Sequence, residues 1–259
     1  MNREEIKASI TSKREFSEIP EKDIWLAYSK FEKRQCSEEE KIRLTRDLLR
    51  KIYSAFASGK LLNIKDKTEE WFLRKHLSTR ERFDFYTSLY EKFFFGIKNC
   101  SVIDLGAGIN GFSYKYFPKK IKVNYISVEA VGQLATLVDF YFKKMKFDAN
   151  SIHCSLFDLE NIKGIIKSCK KPRIIFLFKV IDSLEMVERD YSKRLLEEIV
   201  PLSDKVILSF ATESMIRKDK FKANRKWIID FITEKFELLE NFKLGNERYI
   251  VFKNRSSVM

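Results

Sequence analysis

The run from Val102 to Gly111 (V-I-D-L-G-A-G-I-N-G) puts three of the chain's eight glycines within six residues. A β-branched, apolar start, an acid at Asp104 and then Gly106, Gly108 and Gly111 read as a strand running into a loop that lies flat against a ligand. Glycine suits that loop because the backbone must turn sharply and pass close to what it cradles, where a Cβ would collide. About 20 residues further on, Glu129 ends the next apolar run, where a carboxylate is placed to accept hydrogen bonds from ribose hydroxyls. Loop and acid together point to an adenosine-bearing ligand. Alone they do not separate one such ligand from another.

The elements that would position these residues follow from the apolar pattern. Residues 1–60 read as helices: Ile24, Trp25, Tyr28 and Phe31 recur at helical spacing after Pro20, and Ser37 followed by Glu38–Glu40 reads as a capped helix start. Ile42, Leu44, Leu48, Leu49, Ile52 and Phe56 continue that helix toward Gly59, and a second helical region is expected over Trp71–Phe95. From Cys100 short apolar runs alternate with helix-length segments. Strands are expected at Ser101–Leu105, Val123–Val128, Ser151–Cys154, Arg173–Phe178 and Lys205–Phe210. Helices are expected at Val131–Lys146, Leu159–Ser168 and Leu184–Val200. Such alternation gives right-handed βαβ units and a parallel sheet covered on both faces. A last helix around Lys222–Lys235 precedes two strands, Phe236–Phe242 and Glu247–Phe252, joined at Gly245-Asn246. Ligands in such sheets bind at the carboxyl ends of the strands, at the switch point.

Bulk properties narrow the partners. The chain has 259 residues, 50 basic and 37 acidic, a formal charge of +13. The excess is spread over both halves and favours a polyanionic partner, most simply nucleic acid. Cys36, Cys100, Cys154 and Cys169 are far apart, which argues against a structural zinc site and a disulfide framework. The charged start, M-N-R-E-E-I-K, and the lack of any run approaching roughly 18 apolar residues lead us to expect a soluble, cytoplasmic protein that binds neither metal nor membrane.

The discriminating segment is His76-Leu77-Ser78-Thr79-Arg80-Glu81-Arg82, followed by F-D-F-Y-T-S-L-Y-E-K-F-F. By composition it is a polar helix start with Ser78 or Thr79 as cap. The D-x-G-x-G loop, however, resembles the first motif of class I S-adenosylmethionine (SAM) methyltransferases. The His76–Arg82 pattern ahead of it resembles the Arm/Rmt aminoglycoside-resistance 16S ribosomal RNA methyltransferases. Further matches run in order: F-L-F-K-V-I-D-S-L-E (Phe176–Glu185), L-S-F-A-T-E-S-M (Leu208–Met215), A-N-R-K-W (Ala223–Trp227) and E-R-Y-I-V-F-K (Glu247–Lys253). The resemblance spans nearly the whole chain and is weakest before Trp71.

This resemblance implies an α/β fold with a Rossmann-like class I sheet over residues 98–259. It also implies a helical N-terminal RNA- or ribosome-binding domain over residues 1–97, in a monomer that uses SAM. Arg82 is implied to hold the methionine carboxylate, a task for which a guanidinium offers a fixed fork of donors, with His76, Ser78 and Thr79 lining that end. Asp104, Gly106, Ala107 and Gly108 are implied to pass beneath the cofactor, Glu129 and Ala130 to hold the ribose, and Phe157 and Asp158 the adenine. Asp158 reads equally as the N-cap of the next helix. Lys179, after the fourth strand, is implied to serve the cofactor and the target-side pocket. The departures from the family pattern are Asn110-Gly111 for its Asn-Pro, Glu129 for its aspartate, and no glycine between Ser214 and Lys226.

The family methylates guanine N7 in the decoding region of small-subunit rRNA. N7 carries a lone pair and no proton, so alignment rather than a general base does most of the work. Consistently, the chain has no N-P-P-Y/F tetrapeptide, and no cysteine closes the fourth or fifth strand. Ser214–Lys226 carries six basic residues against one acid. Within it Arg217, Lys218, Lys220, Lys222 and Arg225 are candidate phosphate contacts. Phe210 and Trp227 are candidates to stack on an extruded guanine, with burial in the core as the alternative. A methyltransferase for another RNA site or for a small molecule would share the cofactor motifs, as would a non-catalytic ribosome-binding homologue.

Overall fold

The computed structural model describes residues 1–54, 67–212 and 225–255. Helices α1 (Arg3–Thr11), α2 (Glu21–Glu32) and α3 (Glu38–Leu49) open the chain. Asn2 and Glu5 form a reciprocal capping box on α1, and the Ser37 side chain accepts from the Glu40 N–H on α3. Both caps satisfy donors that the first helical turn leaves without a partner. The apolar faces of these helices, including Ile10, Ile24, Ala27 and Leu49, close with Phe16 of the intervening 3₁₀ turn into a small core of their own. α3 then opens into a π-turn over Arg50–Ser54. Phe56 and Gly59, expected to finish that helix, lie outside the described residues.

The helical region expected over Trp71–Phe95 consists of three helices. α4 (Glu69–Lys75), α5 (Leu77–Arg82) and α6 (Tyr86–Phe93) are separated by an extended residue at His76 and a 3₁₀ turn at Phe83–Phe85. The Thr79 hydroxyl lies 2.7 Å from the Leu73 carbonyl and 3.1 Å from that of His76, sealing the end of α4. Helical apolar spacing continues across the break, so periodicity does not reveal it.

The rest of the chain is β1 (Asn99–Leu105), β2 (Lys122–Glu129), α7 (Gly132–Met145), β3 (Ala149–His153), α8 (Leu159–Ser168), β4 (Arg173–Phe178), α9 (Ile181–Val187), α10 (Tyr191–Ile199), β5 (Lys205–Ala211), α11 (Lys226–Lys235), β6 (Glu237–Leu244) and β7 (Glu247–Lys253). The sheet order is β3-β2-β1-β4-β5-β7-β6. The first five strands in that order are parallel, and β7 is antiparallel to both β5 and β6. Alternate strand residues enter two apolar layers: Ile103, Val128, Ile175 and Leu208 on one face, Val102, Tyr125, Phe176 and Ile207 on the other. The α/β class I sheet and N-terminal helical region expected from the sequence are both present.

The segment read as one helix over Leu184–Val200 is α9 and α10. It breaks at Asp190, which has φ +62°. Glu185 holds the break by accepting from the N–H groups of Asp190 at 2.7 Å and Ser192 at 2.9 Å. The N-terminal helices dock on the first turn of α7: Gly132 N–H donates to the Glu18 carbonyl at 3.1 Å, and Gln133 Nε2 to the Arg14 carbonyl at 3.0 Å. Among the described residues no helix is long and apolar enough to cross a membrane.

Candidate functional site

The strand order reverses between β1 and β4, and a cleft of about 780 Å³, its open mouth included, lies over the carboxyl ends of β1, β2 and β4. β1 delivers the glycine loop to its floor. Gly106 has φ +70°, donates its N–H to the Val128 carbonyl at 2.9 Å, and carries a hydrogen where a Cβ would strike the Val180 side chain. Gly108 has φ +54°, and a Cβ there would meet no protein atom within 4 Å. Protein packing therefore requires the first glycine, whereas at Gly108 only backbone conformation and the contents of the cleft matter. Gly108 N–H donates to Glu129 Oε2 at 2.7 Å and Val131 N–H to Oε1 at 2.9 Å. Burial raises the Glu129 pKa, and these backbone donors oppose the rise. Each carboxylate oxygen keeps a lone pair for a further donor.

The His76 break sets off α5, whose Arg82 is buried in the cleft wall over the Phe178 ring at the end of β4. Its guanidinium donates to Glu247 through Nη2 at 2.8 Å and Nε at 3.3 Å, and to Asn110 Oδ1 through Nη1 at 3.0 Å. Asn110 Nδ2 in turn donates to Asp104 Oδ2 at 2.7 Å. Tyr125 donates to the same Asp104 oxygen, while Asp104 Oδ1 is buried with no hydrogen-bond partner. Burial raises the Asp104 pKa despite the Tyr125 and Asn110 hydrogen bonds. Glu247 also accepts from the Ser209 hydroxyl and lies 3.5 Å from Lys179 Nζ, which is paired with Glu81. Burial would raise the Glu247 pKa, but Arg82 and Lys179 hold it below the ordinary carboxylate range. His76 is pushed down to about 3 by burial, with the Arg82 and Lys179 charges adding to the effect, so the imidazole is neutral at pH 7.

The structure brings most of the expected residues to this one cleft. His76, Ser78, Thr79, Arg82, Asp104, Gly106, Ala107, Gly108, Glu129, Ala130, Phe157 and Lys179 all line it. Thr79 spends its hydroxyl on backbone carbonyls rather than turning it to the cleft. Asp158 does not line the cleft; its carboxylate caps α8 through the Asn161 N–H and side-chain amide, which is the alternative reading given above. Phe210 is also elsewhere, packed in the apolar layer under the Arg225 guanidinium, 5.2 Å from its ring centroid. Its expected place among the reacting groups is corrected to the core.

Arg225 is corrected as well. It is buried and its guanidinium bonds to Asp182 and to the Ala211 carbonyl, so it ties β5 to α9 instead of facing a phosphate. Arg217, Lys218, Lys220 and Lys222 lie outside the described residues. Trp227 is partly buried against the core. The sequence reading did not single out Glu247, Glu81 or the bridging role of Asn110. Glu247 sits in the E-R-Y motif, 165 residues from the arginine it pairs with, and only the antiparallel register of β7 with β5 brings them together. Ile52, expected on a helix face, and Tyr53, not singled out in the sequence, are further lining residues from the π-turn. Among the described residues no group of three or more His, Cys, Asp or Glu could hold a metal ion.

No protein-family model matches the chain. A 16S rRNA (guanine(1405)-N(7))-methyltransferase of Proteus mirabilis is 24% identical to it over 192 residues, which are 69% of this chain and 63% of that enzyme's length. Among solved structures, the 16S rRNA methyltransferase RmtF in complex with S-adenosyl-L-homocysteine superposes with a TM-score of 0.80 at 14% identity, covering 98% of this chain and 100% of that one. The 16S rRNA methylase RmtB does so with a TM-score of 0.78 at 16% identity, covering 98% and 99%. These likenesses carry the fold, and in this chain residues of both His76–Arg82 and Asp104–Gly108 line the cleft. The chain thus shares the fold of the 16S rRNA methyltransferase RmtF and the 16S rRNA methylase RmtB over nearly its whole length.

Proposed function

We propose that this chain is a SAM-dependent methyltransferase acting on guanine N7 of 16S-type rRNA in the small ribosomal subunit's decoding region, of the type that confers aminoglycoside resistance. The observation that carries this reading is the pairing of a donor and an acceptor across Asn110. Arg82 uses three of its five N–H groups on Glu247 and Asn110, and the guanidinium lines the cleft, where it can meet a carboxylate. Asp104 Oδ1, buried and without a donor, is an acceptor for an ammonium. A guanidinium and a carboxylate held together in this way fit the zwitterionic end of an amino acid. Glu129, at the far end of the glycine loop, fits a ribose diol, and Leu156, Phe157 and Ala130 give apolar walls for a purine. SAM, when bound, supplies an electrophilic sulfonium methyl group.

The residues themselves hold and orient. Guanine N7 needs no proton removed, so the site requires no general base at the reacting atom. His76 is neutral and leaves the charge of that end to Arg82, Asp104 and Glu247. Lys179, with φ +57°, is fixed by its N–H bond to the Ser209 carbonyl and by its pairing with Glu81, and forms the wall on the target side. The net charge of +13 supports a polyanionic partner. In this reading residues 1–97 contact the ribosome, residues 98–259 carry the chemistry, and the protein works as a cytoplasmic monomer. Arg217, Lys218, Lys220 and Lys222 are the proposed phosphate contacts.

The test is transfer of labelled methyl from SAM to isolated small subunits across a salt series. We expect subunit RNA to be labelled, with activity falling steeply as salt rises because phosphate contacts release counterions, and with a strong loss in Arg82→Ala. A protein that binds SAM yet labels no RNA, or whose activity ignores salt and follows a small acceptor, would overturn the reading.

A further inference from the structure

One wall of the cleft does not come from the sheet. α3 widens into the π-turn Arg50–Ser54, a deviation from regular helix that recurs at functional sites. It delivers Ile52 and Tyr53 to the cleft beside Glu129, Leu156 and Phe157. Ile52 is 3% exposed. Tyr53 packs against all three apolar clusters of the molecule, the two faces of the sheet and the core of the N-terminal helices. Its hydroxyl donates to Asp23 Oδ1 at 2.5 Å, and Asp23, on α2, is 1% exposed. Burial raises the Asp23 pKa, opposed by the Tyr53 hydrogen bond, and Asp23 Oδ2 is buried with no hydrogen-bond partner. Ser155 Oγ accepts from the Phe157 N–H at 3.0 Å. Burial next to two carboxylates, Asp23 and Glu129, keeps the Tyr53 hydroxyl protonated and therefore a donor. A carboxylate this deeply buried in a helical bundle is costly unless its hydrogen bonds specify something.

We propose that the N-terminal helical region completes the nucleoside end of the cofactor site, with the Tyr53 ring contacting bound adenosine and Asp23 on α2 fixing that ring through its hydroxyl. Tyr53 is then a binding residue and Asp23 a positioning residue. Because both belong to the region that docks on α7 through Glu18 and Arg14, occupancy of the cleft and docking of the helices favour each other by linkage. This inference rests on the SAM reading above.

The experiment is calorimetric titration of the full chain with S-adenosylhomocysteine, on wild type and on Tyr53→Ala, Tyr53→Phe, Asp23→Ala and Asp23→Asn. Loss of the ring in Tyr53→Ala should weaken binding by about ten- to a hundredfold, the range for an aromatic contact to a base. Tyr53→Phe and Asp23→Ala remove one hydrogen bond and should weaken it by about three- to tenfold. Asp23→Asn keeps an acceptor for the tyrosine and should bind nearly as wild type. Hydrogen exchange on wild type should show α2 and residues 50–54 protected by the ligand. Unchanged affinity in Tyr53→Ala and Tyr53→Phe, or no protection of residues 50–54, overturns the proposal while wild-type binding still upholds the SAM reading. Absence of binding by the folded wild type is the different failure, that of the SAM reading itself.

Discussion

Replacing Glu247 by glutamine removes one charge from a site where almost no water can compensate. The side chains of Arg82 and Glu247 are 1% and 3% exposed, and Glu247 accepts from Arg82 at 2.8 and 3.3 Å with Lys179 3.5 Å away. A glutamine oxygen can still accept from Arg82 Nη2 and Ser209. Its amide nitrogen, however, would face Arg82 Nε and Lys179 Nζ, donors against a donor. Breaking a buried ion pair from one side costs about 3–5 kcal/mol. Arg82 retains Asn110 and Lys179 retains Glu81, which places the expected cost near the lower end, about 3 kcal/mol. For a chain of this size that is a fall in Tm of about 6–12 °C.

The assay is urea and thermal unfolding of Glu247→Gln, Arg82→Met and the double variant. In the double variant neither charge is left facing an absent partner, so its loss should be smaller than the sum of the two by about 2 kcal/mol. The Glu247 pKa is depressed in the folded protein. Its stabilisation is therefore complete above the ordinary carboxylate range and disappears as pH falls through the depressed value, and Glu247→Gln should flatten that acid limb. A Glu247→Gln protein within about 0.5 kcal/mol of wild type, or strictly additive variants, would refute the argument that this pair is energetically coupled.

Three further outcomes follow from the same geometry. Gly106→Ala should destabilise the fold because its Cβ meets Val180, whereas Gly108→Ala should cost only the roughly 1–2 kcal/mol of a left-handed residue yet abolish S-adenosylhomocysteine binding; unfolding and calorimetry of the two proteins separate these effects. Of the two histidine ring signals in proton NMR, that of His76 should hold its shift from pH 8 to pH 5, since its pKa lies at about 3. Because an unfolded histidine titrates near 6.5, stability should fall as pH drops below that value by up to about 1.4 kcal/mol per unit. Asp158→Ala should lower stability by about 1 kcal/mol through loss of the α8 cap while leaving S-adenosylhomocysteine affinity unchanged, measured by unfolding and calorimetry.

What the sequence made legible was local. Strand runs such as Arg173–Phe178 and the helix Leu159–Ser168 match the observed bounds because a short apolar run or an amphipathic period is complete within itself. The glycine loop and Glu129 were equally readable, since a cofactor cradle is built from one strand end and the next. The breaks at His76 and Asp190 were not, because each is held by contacts that periodicity does not encode, Thr79 to Leu73 in one case and Glu185 to Asp190 in the other. Glu247 was hidden for a different reason: its role exists only once β7 pairs antiparallel with β5 and meets α5. Tyr53 falls outside the apolar period of its helix and carries no motif of its own, and its place in the cleft wall shows only in the π-turn.

The central claim is that this cleft delivers a methyl group to one guanine N7 in the small-subunit RNA. It is tested most directly by mass-spectrometric mapping of methylated guanines in subunits incubated with the protein and SAM. A single new N7-methylguanine in the decoding region is expected, absent when Arg82 is replaced by alanine. A methyl group on another atom or outside the decoding region, or no new methylguanine from a protein that binds SAM, would contradict it.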